Sequence, residues 1–249
     1  MGKPQVIFPG GDGWIYSFKP DNGELLWKFD CNPKDSSYKL GVEATRNDFI
    51  GTPIVHDNKV YIAVGQDPEH KYGVGHLWCI DITKEPKNAD KDLSPRDKKF
   101  DPKDPANKDS ALVWHYGGYA PKGSDRKYNI GRSMSTCAVH DGLCYVADLS
   151  GYVYCLDART GEKYWDHETQ AAIWGSPYWV DGKVYVGTDD GIMFVFKHGK
   201  KKDLLEEIEM GGKVRATPVA ANGALFVLTE NNSKLYAIAE SAKDKKNDK

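Results

Sequence analysis

Short runs of alternating apolar and polar residues recur along the chain, separated by tight turns. Each complete run opens on a small residue, usually followed by proline: Thr52-Pro53, Ser135-Thr136, Ser176-Pro177, Thr217-Pro218. A short strand follows, then a turn at Asp57-Asn58, Asp141-Gly142, Asp181-Gly182 or Asn222-Gly223. Such dipeptides favour φ > 0 at both turn positions, which suits a two-residue β-hairpin. The second strand alternates β-branched and aromatic residues, as in Val60-Tyr61-Ile62, Cys144-Tyr145-Val146, Val184-Tyr185-Val186 and Leu225-Phe226-Val227. The next turn carries Gly13, Gly75, Gly151 or Gly191, with Ser233 in the last copy. An aromatic residue follows each time: Tyr16, Trp78, Tyr154, Phe194, Tyr236. The third strand ends in an apolar-Asp step such as Ile80-Asp81 or Leu156-Asp157. Turns at Pro20-Asp21-Asn22-Gly23 and Ala158-Arg159-Thr160-Gly161 then lead to an outer fourth strand marked by Trp27 or Trp165, with Trp114 in the same role after an insertion.

Four antiparallel strands per roughly 40 residues, repeated, are the signature of β-propeller blades. The pattern predicts an all-β propeller over residues 1–240, in units at about 4–30, 50–118, 134–169, 174–210 and 214–240. The first unit lacks its first strand and the last lacks its fourth. Their six strands are too many for one shared blade, and open edges invite pairing. The expectation is therefore a part of a larger, seven- or eight-bladed propeller, with a five-bladed ring or an open arc as alternatives. Residues 84–109 are rich in Lys, Asp and Pro and are expected to form a solvated, mobile excursion. The tail 241–249 is charged.

The 249 residues and 40% hydrophobic content are ample for a core, and a formal charge of -2 gives no basic field for nucleic acid. No apolar run is long enough for a transmembrane helix, and no signal peptide is visible in this chain. The five cysteines show no C-x-x-C spacing. Cys79, Cys137, Cys144 and Cys155 fall at apolar strand positions and read as small buried hydrophobes. Cys31 falls in a loop and is the one that could be exposed.

The phrase running from Ala138 to Trp165 resembles the pyrroloquinoline-quinone-type (PQQ-like) propeller repeat. It has Asp141-Gly142, Tyr145-Val146-Ala147, Gly151, Tyr154, Leu156-Asp157-Ala158, Thr160-Gly161 and Trp165 in order. The wording Trp78-Cys79-Ile80-Asp81-Ile82-Thr83 and Met134-Ser135-Thr136-Cys137 is similar to uncharacterised bacterial propellers of planctomycete type. The resemblance implies a periplasmic or extracellular protein. It also implies one of two roles: a quinone-dependent alcohol or sugar dehydrogenase, or a cofactor-free scaffold like the propeller lipoprotein of outer-membrane assembly. The dehydrogenases use adjacent cysteines, a calcium carboxylate group and an Asp base. This chain has no Cys-Cys pair and no Asp-x-Asp calcium loop. PQQ with calcium is thus possible only without the family's catalytic motifs, and no catalytic residue is assigned.

Function is expected where the repeat is interrupted, on loops 31–49, 66–75 and 118–133, which should share one face of the propeller. Residues preceding the first strands should face the channel mouth. There Arg46, Asp48, Arg132, Trp174, Lys213 and Arg215 are candidates for an anion or aromatic-ligand pocket. The competing expectation is that these charges pair with one another, Arg132 with Asp48 for example. Asp67, Glu69, His70 and His76 could hold a metal, although their spacing fits no established ligand pattern. The reading favours a non-catalytic module that binds a protein or polysaccharide through the long-loop face. The alternative is a quinone- or metal-dependent oxidoreductase, or a fragment of one.

Overall fold

Both residues of each first-hairpin turn take positive φ: Asp57 and Asn58 at 47° and 57°, Asp141 and Gly142 at 45° and 73°, Asp181 and Gly182 at 50° and 69°, Asn222 and Gly223 at 52° and 76°. These are the primed turns that match strand twist, and they set the register of the sheets that follow. The computed structural model describes residues 3–37, 45–66, 73–231 and 233–240. The first sheet holds β1 (Val6–Pro9), β2 (Trp14–Phe18) and β3 (Leu25–Asp30). The second holds β4 (Ile54–His56), β5 (Lys59–Gly65), β6 (Gly75–Asp81) and β7 (Leu112–Gly117). The third holds β8 (Ala138–His140), β9 (Leu143–Ala147), β10 (Tyr152–Asp157) and β11 (Lys163–Glu168). The fourth holds β12 (Tyr178–Val180), β13 (Lys183–Gly187), β14 (Ile192–Lys197) and β15 (Leu204–Glu209), and the fifth β16 (Val219–Ala221), β17 (Ala224–Thr229) and β18 (Lys234–Ile238). Every pair is antiparallel and every sheet is a simple meander, so the chain is an all-β propeller fold. The first and last sheets have three strands each among the described residues.

The core lies between sheets. Ile15, Trp27 and Phe29 of the first sheet meet Val60, Ile62, Trp78 and Ile80 of the second. Equivalent clusters join the second to the third through Tyr61, Cys79 and Tyr154, the third to the fourth through Tyr145, Trp165 and Phe196, and the fourth to the fifth through Val195 and Val227. Outer-strand tryptophans lock neighbouring blades. The Trp114 indole N–H donates to the Ala158 carbonyl at 2.9 Å, and that of Trp165 to the Gly199 carbonyl at 3.1 Å. Gly161, at φ 75°, must be glycine for the first lock, since a Cβ there would stand 2.7 Å from the Trp114 ring. A second device runs along the innermost strands. Thr52 N–H donates to Thr136 Oγ1, Thr136 N–H to Ser176 Oγ, and Ser176 N–H to Thr217 Oγ1, at 2.9–3.0 Å. The hydroxyl residue two positions before β4, β8, β12 and β16 thus ties neighbouring blades together.

Two expectations are corrected. Residues 84–109 keep most of their side chains in solvent, as expected, but they are not a loose excursion. Lys28 N–H donates to Lys91 O, Leu93 N–H to Lys28 O, both at 2.9 Å, and Asp30 N–H to Ser94 Oγ at 2.7 Å. The stretch therefore covers the outer edge of β3 with backbone hydrogen bonds, and it buries Leu93 and Phe100 against the first two sheets. Its Asp and Asn residues mostly cap its own turns, as Asp104 does for the short 3₁₀ turn Pro105–Asn107. Cys31 does lie in a loop, but it is buried like the other four cysteines. Its N–H is held by Gly13 O, and its carbonyl accepts from Asn47 Nδ2 at 2.9 Å.

The outward faces of the two end sheets carry the residue types that are buried between inner sheets. Val6 and Phe8 on the first are 50% and 57% exposed, and Leu228 and Leu235 on the last 47% and 66%.

Candidate functional site

The channel-mouth candidates divide into groups. Trp174, Lys213 and Arg215 come together on the fourth and fifth blades, around a residue the sequence reading missed. Asp189, in the turn after β13, accepts from Lys213 Nζ at 3.2 Å and from Arg215 Nε. Arg215 also reaches Glu230 at 3.2 Å, and its guanidinium lies 4.9 Å from the Trp174 ring centre. The hydrogen bond from Arg215 holds the Asp189 carboxyl below its ordinary range, against the opposing effect of burial. The same bond raises the Arg215 pKa. In this group, then, the cations are paired with carboxylates. The available signal was a second acid, Asp189, beside the repeat's own Asp190.

Arg132 makes other contacts. It is buried, and its guanidinium donates to Gln66 Oε1 at 2.8 Å. Asp48 forms a backbone bridge to Gly65. Arg46 stands near Tyr16, where its charge lowers a phenol pKa that burial and Asp12 push up to about 12. Asp67, Glu69 and His70 lie outside the described residues. His76 is buried, with its Nδ1 2.8 Å from His115 Nε2. Among the described residues no three His, Cys, Asp or Glu side chains are grouped to hold a metal ion.

Loop 118–133 carries the most distinctive surface. Ala120 N–H donates to Lys127 O and Asn129 N–H to Gly118 O, both at 3.0 Å, which makes a small hairpin. At its base Tyr119, 69% exposed, pairs with Tyr128, ring centres 5.4 Å apart. Lys127 Nζ lies 5.3 Å from the Tyr128 ring. Arg126 anchors the hairpin. It stacks 3.5 Å over Tyr152, bonds the Tyr154 hydroxyl and sits 3.7 Å from Asp148. Burial raises the Asp148 pKa, although Tyr154 O–H and the Gly131 and Tyr152 N–H groups all donate to the carboxylate. A rigid blade thus holds a hairpin that exposes Tyr119 and Lys127 beside Tyr128.

The fit to PQQ with calcium is poor among the described residues. The Asp189 carboxylate is already tied to two cations, and all five cysteines are buried and unbridged. Among the described residues no helix is long and apolar enough to cross a membrane.

Comparison with known proteins places these features in context. The PQQ_2 family model, described as outer membrane protein assembly factor BamB, matches residues 104–205. The chain is 30% identical over 177 residues to the 1-butanol dehydrogenase (cytochrome c) of Thauera butanivorans, covering 68% of this chain and 19% of that protein. It is 30% identical over 86 residues to the quinohemoprotein alcohol dehydrogenase ADH-IIG of Pseudomonas putida, covering 32% and 12%. The crystal structure of BamB from Moraxella catarrhalis superposes with a TM-score of 0.58 at 15% identity, covering 96% of this chain and 55% of that one. The chain therefore spans a fifth or less of the curated dehydrogenases it matches and about half of the BamB structure.

Proposed function

This chain belongs to the PQQ-like repeat β-propellers, and from that premise we propose that it is a non-catalytic binding or scaffold module acting through its long-loop face. One observation carries the reading: the cations that would make a ligand pocket on the fourth and fifth blades are consumed by Asp189 and Glu230. The exposed Tyr119–Tyr128 hairpin on loop 118–133 supports a partner surface instead. An exposed tyrosine such as Tyr119 supplies large contact area at low entropic cost. The compartment in keeping with this role is periplasmic or extracellular. The test is site-specific photo-cross-linking in the native host, with the probe at Tyr119 and, as control, at Leu205 on the outer strand β15. Adducts at Tyr119 that disappear with Tyr128→Ala support the reading. Equal capture at both positions, or none at Tyr119, contradicts it.

A second reading, a quinone- or metal-dependent oxidoreductase or a fragment of one, is favoured by the identity to two alcohol dehydrogenases and by the Arg215–Trp174 pair. Titration with PQQ and calcium separates the two.

A further inference from the structure

Two of the five cysteines meet thiol to thiol. Val139 of β8 pairs with Cys144 of β9. Side chains alternate along a strand, so Cys137, two residues before Val139, lies on the same face of the sheet and diagonal to Cys144. The two sulfurs are in hydrogen-bonding contact. Both residues are buried, at 4% and 0% exposure, in the cluster between the second and third sheets. The other three thiols are engaged elsewhere. Cys31 lies between the first two sheets, Cys79 bonds Tyr61, and Cys155 bonds Tyr145 and reaches the Gly199 carbonyl at 3.7 Å.

The two thiols differ in access and in readiness. Cys137 helps to line an open cavity of about 460 Å³ between β8 and β12, with Thr136, Val139, Ser176 and Trp179. Cys144 does not reach that cavity. Contact with Cys137 and burial hold the Cys144 thiol well above its ordinary range, so the proton stays on Cys144. The thiolate is the nucleophile, which leaves Cys137 to make the first attack. Cys137 stands one residue outside β8 and its ladder with β9. Its backbone can therefore adjust to the Cα separation of about 4.4–6.8 Å that a disulfide requires.

We propose that Cys137 and Cys144 form a redox-convertible pair, and that their co-reactant is a small-molecule disulfide entering through the cavity. Cys137 gives its proton to solvent, and its thiolate attacks one sulfur of that disulfide. The sulfur–sulfur bond breaks, a mixed disulfide forms on Cys137, and the departing thiolate takes up a proton. Cys144 then loses its proton and attacks the Cys137 sulfur. The second thiolate leaves and is protonated in turn. Two protein thiols are oxidised, and one small disulfide is reduced to two thiols. The new bond staples β8 to β9 beside Thr136, which accepts from Thr52 N–H and donates to Ser176 Oγ in the hydroxyl belt. The site does not depend on the loop-face reading.

The test incubates the folded full chain with glutathione disulfide and blocks the remaining thiols with N-ethylmaleimide. The chain is then cleaved before aspartate and mapped by mass spectrometry without reduction. Cleavage at Asp125, Asp141 and Asp148 puts Cys137 and Cys144 on separate peptides, 125–140 and 141–147. The expected result is loss of two of the five thiols, with these two peptides appearing as one linked species that dithiothreitol separates. Cys144→Ser should stop at a glutathione adduct on Cys137, and Cys137→Ser should leave Cys144 unmodified. No linked species in the folded chain, linkage of either residue to Cys79, linkage only after urea, or an adduct on Cys144 in Cys137→Ser each overturns the proposal.

Discussion

Acid should destabilise this propeller through a buried histidine pair. His76 on β6 and His115 on β7 stand 2.8 Å apart, nitrogen to nitrogen, beneath Trp78 and Phe100. Burial holds the His76 pKa down at about 4, and burial plus the charge of His76 holds that of His115 well below its ordinary value. In the unfolded chain each titrates near 6.5. As pH falls, the unfolded state takes up protons first, so stability is full above about 6.5 and is lost progressively towards 4. For His76 alone, the loss between pH 7 and 4.5 comes to about 2 kcal/mol, at 1.36 kcal/mol per unit of pKa difference. Ion-paired carboxylates such as Asp189 weaken in acid too, so the wild type is read against His76→Gln, which keeps a neutral hydrogen-bonding group. Urea unfolding followed by tryptophan fluorescence at the two pH values gives both stabilities. The wild type should lose about 2 kcal/mol more than the variant. Parallel losses would mean that the pair is not sealed in its neutral form, and the packing of the 84–109 stretch over it would be refuted with it.

Three further outcomes follow from the same packing. Phe100→Ala removes a buried ring and should cost about 3–5 kcal/mol. It should also open Lys98 and Lys99 to trypsin, and unchanged cleavage would mean the stretch was free all along. Gly161→Ala drives a Cβ into the Trp114 ring at a φ of 75° and should cost about 1–3 kcal/mol by urea midpoint. Thr136→Val cuts one link of the hydroxyl belt and should cost about 1 kcal/mol, with no loss if the belt is incidental.

The parts of the fold written in local chemistry were legible. The Asx-led turns, the alternating second strands and the outer-strand tryptophans Trp27, Trp114 and Trp165 predict sheets that the structure contains, because each depends on φ preference or on a period of two. The 84–109 stretch was not legible. Its composition is that of a solvated loop, and its order rests on two apolar residues and the edge of β3, a partner more than fifty residues away in sequence. Cys31 misled for the same reason, since a loop residue is buried here by Gly13 and Asn47 from separate segments. At the site, aligning the repeats located Trp174, Lys213 and Arg215 together. It read only the residues preceding the first strands, and so passed over Asp189, which lies in the turn after β13 and gives them their partner. The Tyr119–Tyr128 pair was hidden because its residues meet only once the loop folds into a hairpin.

The most direct test of a non-catalytic role is titration of the full chain with PQQ in the presence of calcium, read by absorbance and by dye reduction with alcohols and sugars. The account expects no saturable absorbance change and no turnover. A stoichiometric spectral shift with substrate-dependent dye reduction would contradict it and place the chain among the working dehydrogenases of its family.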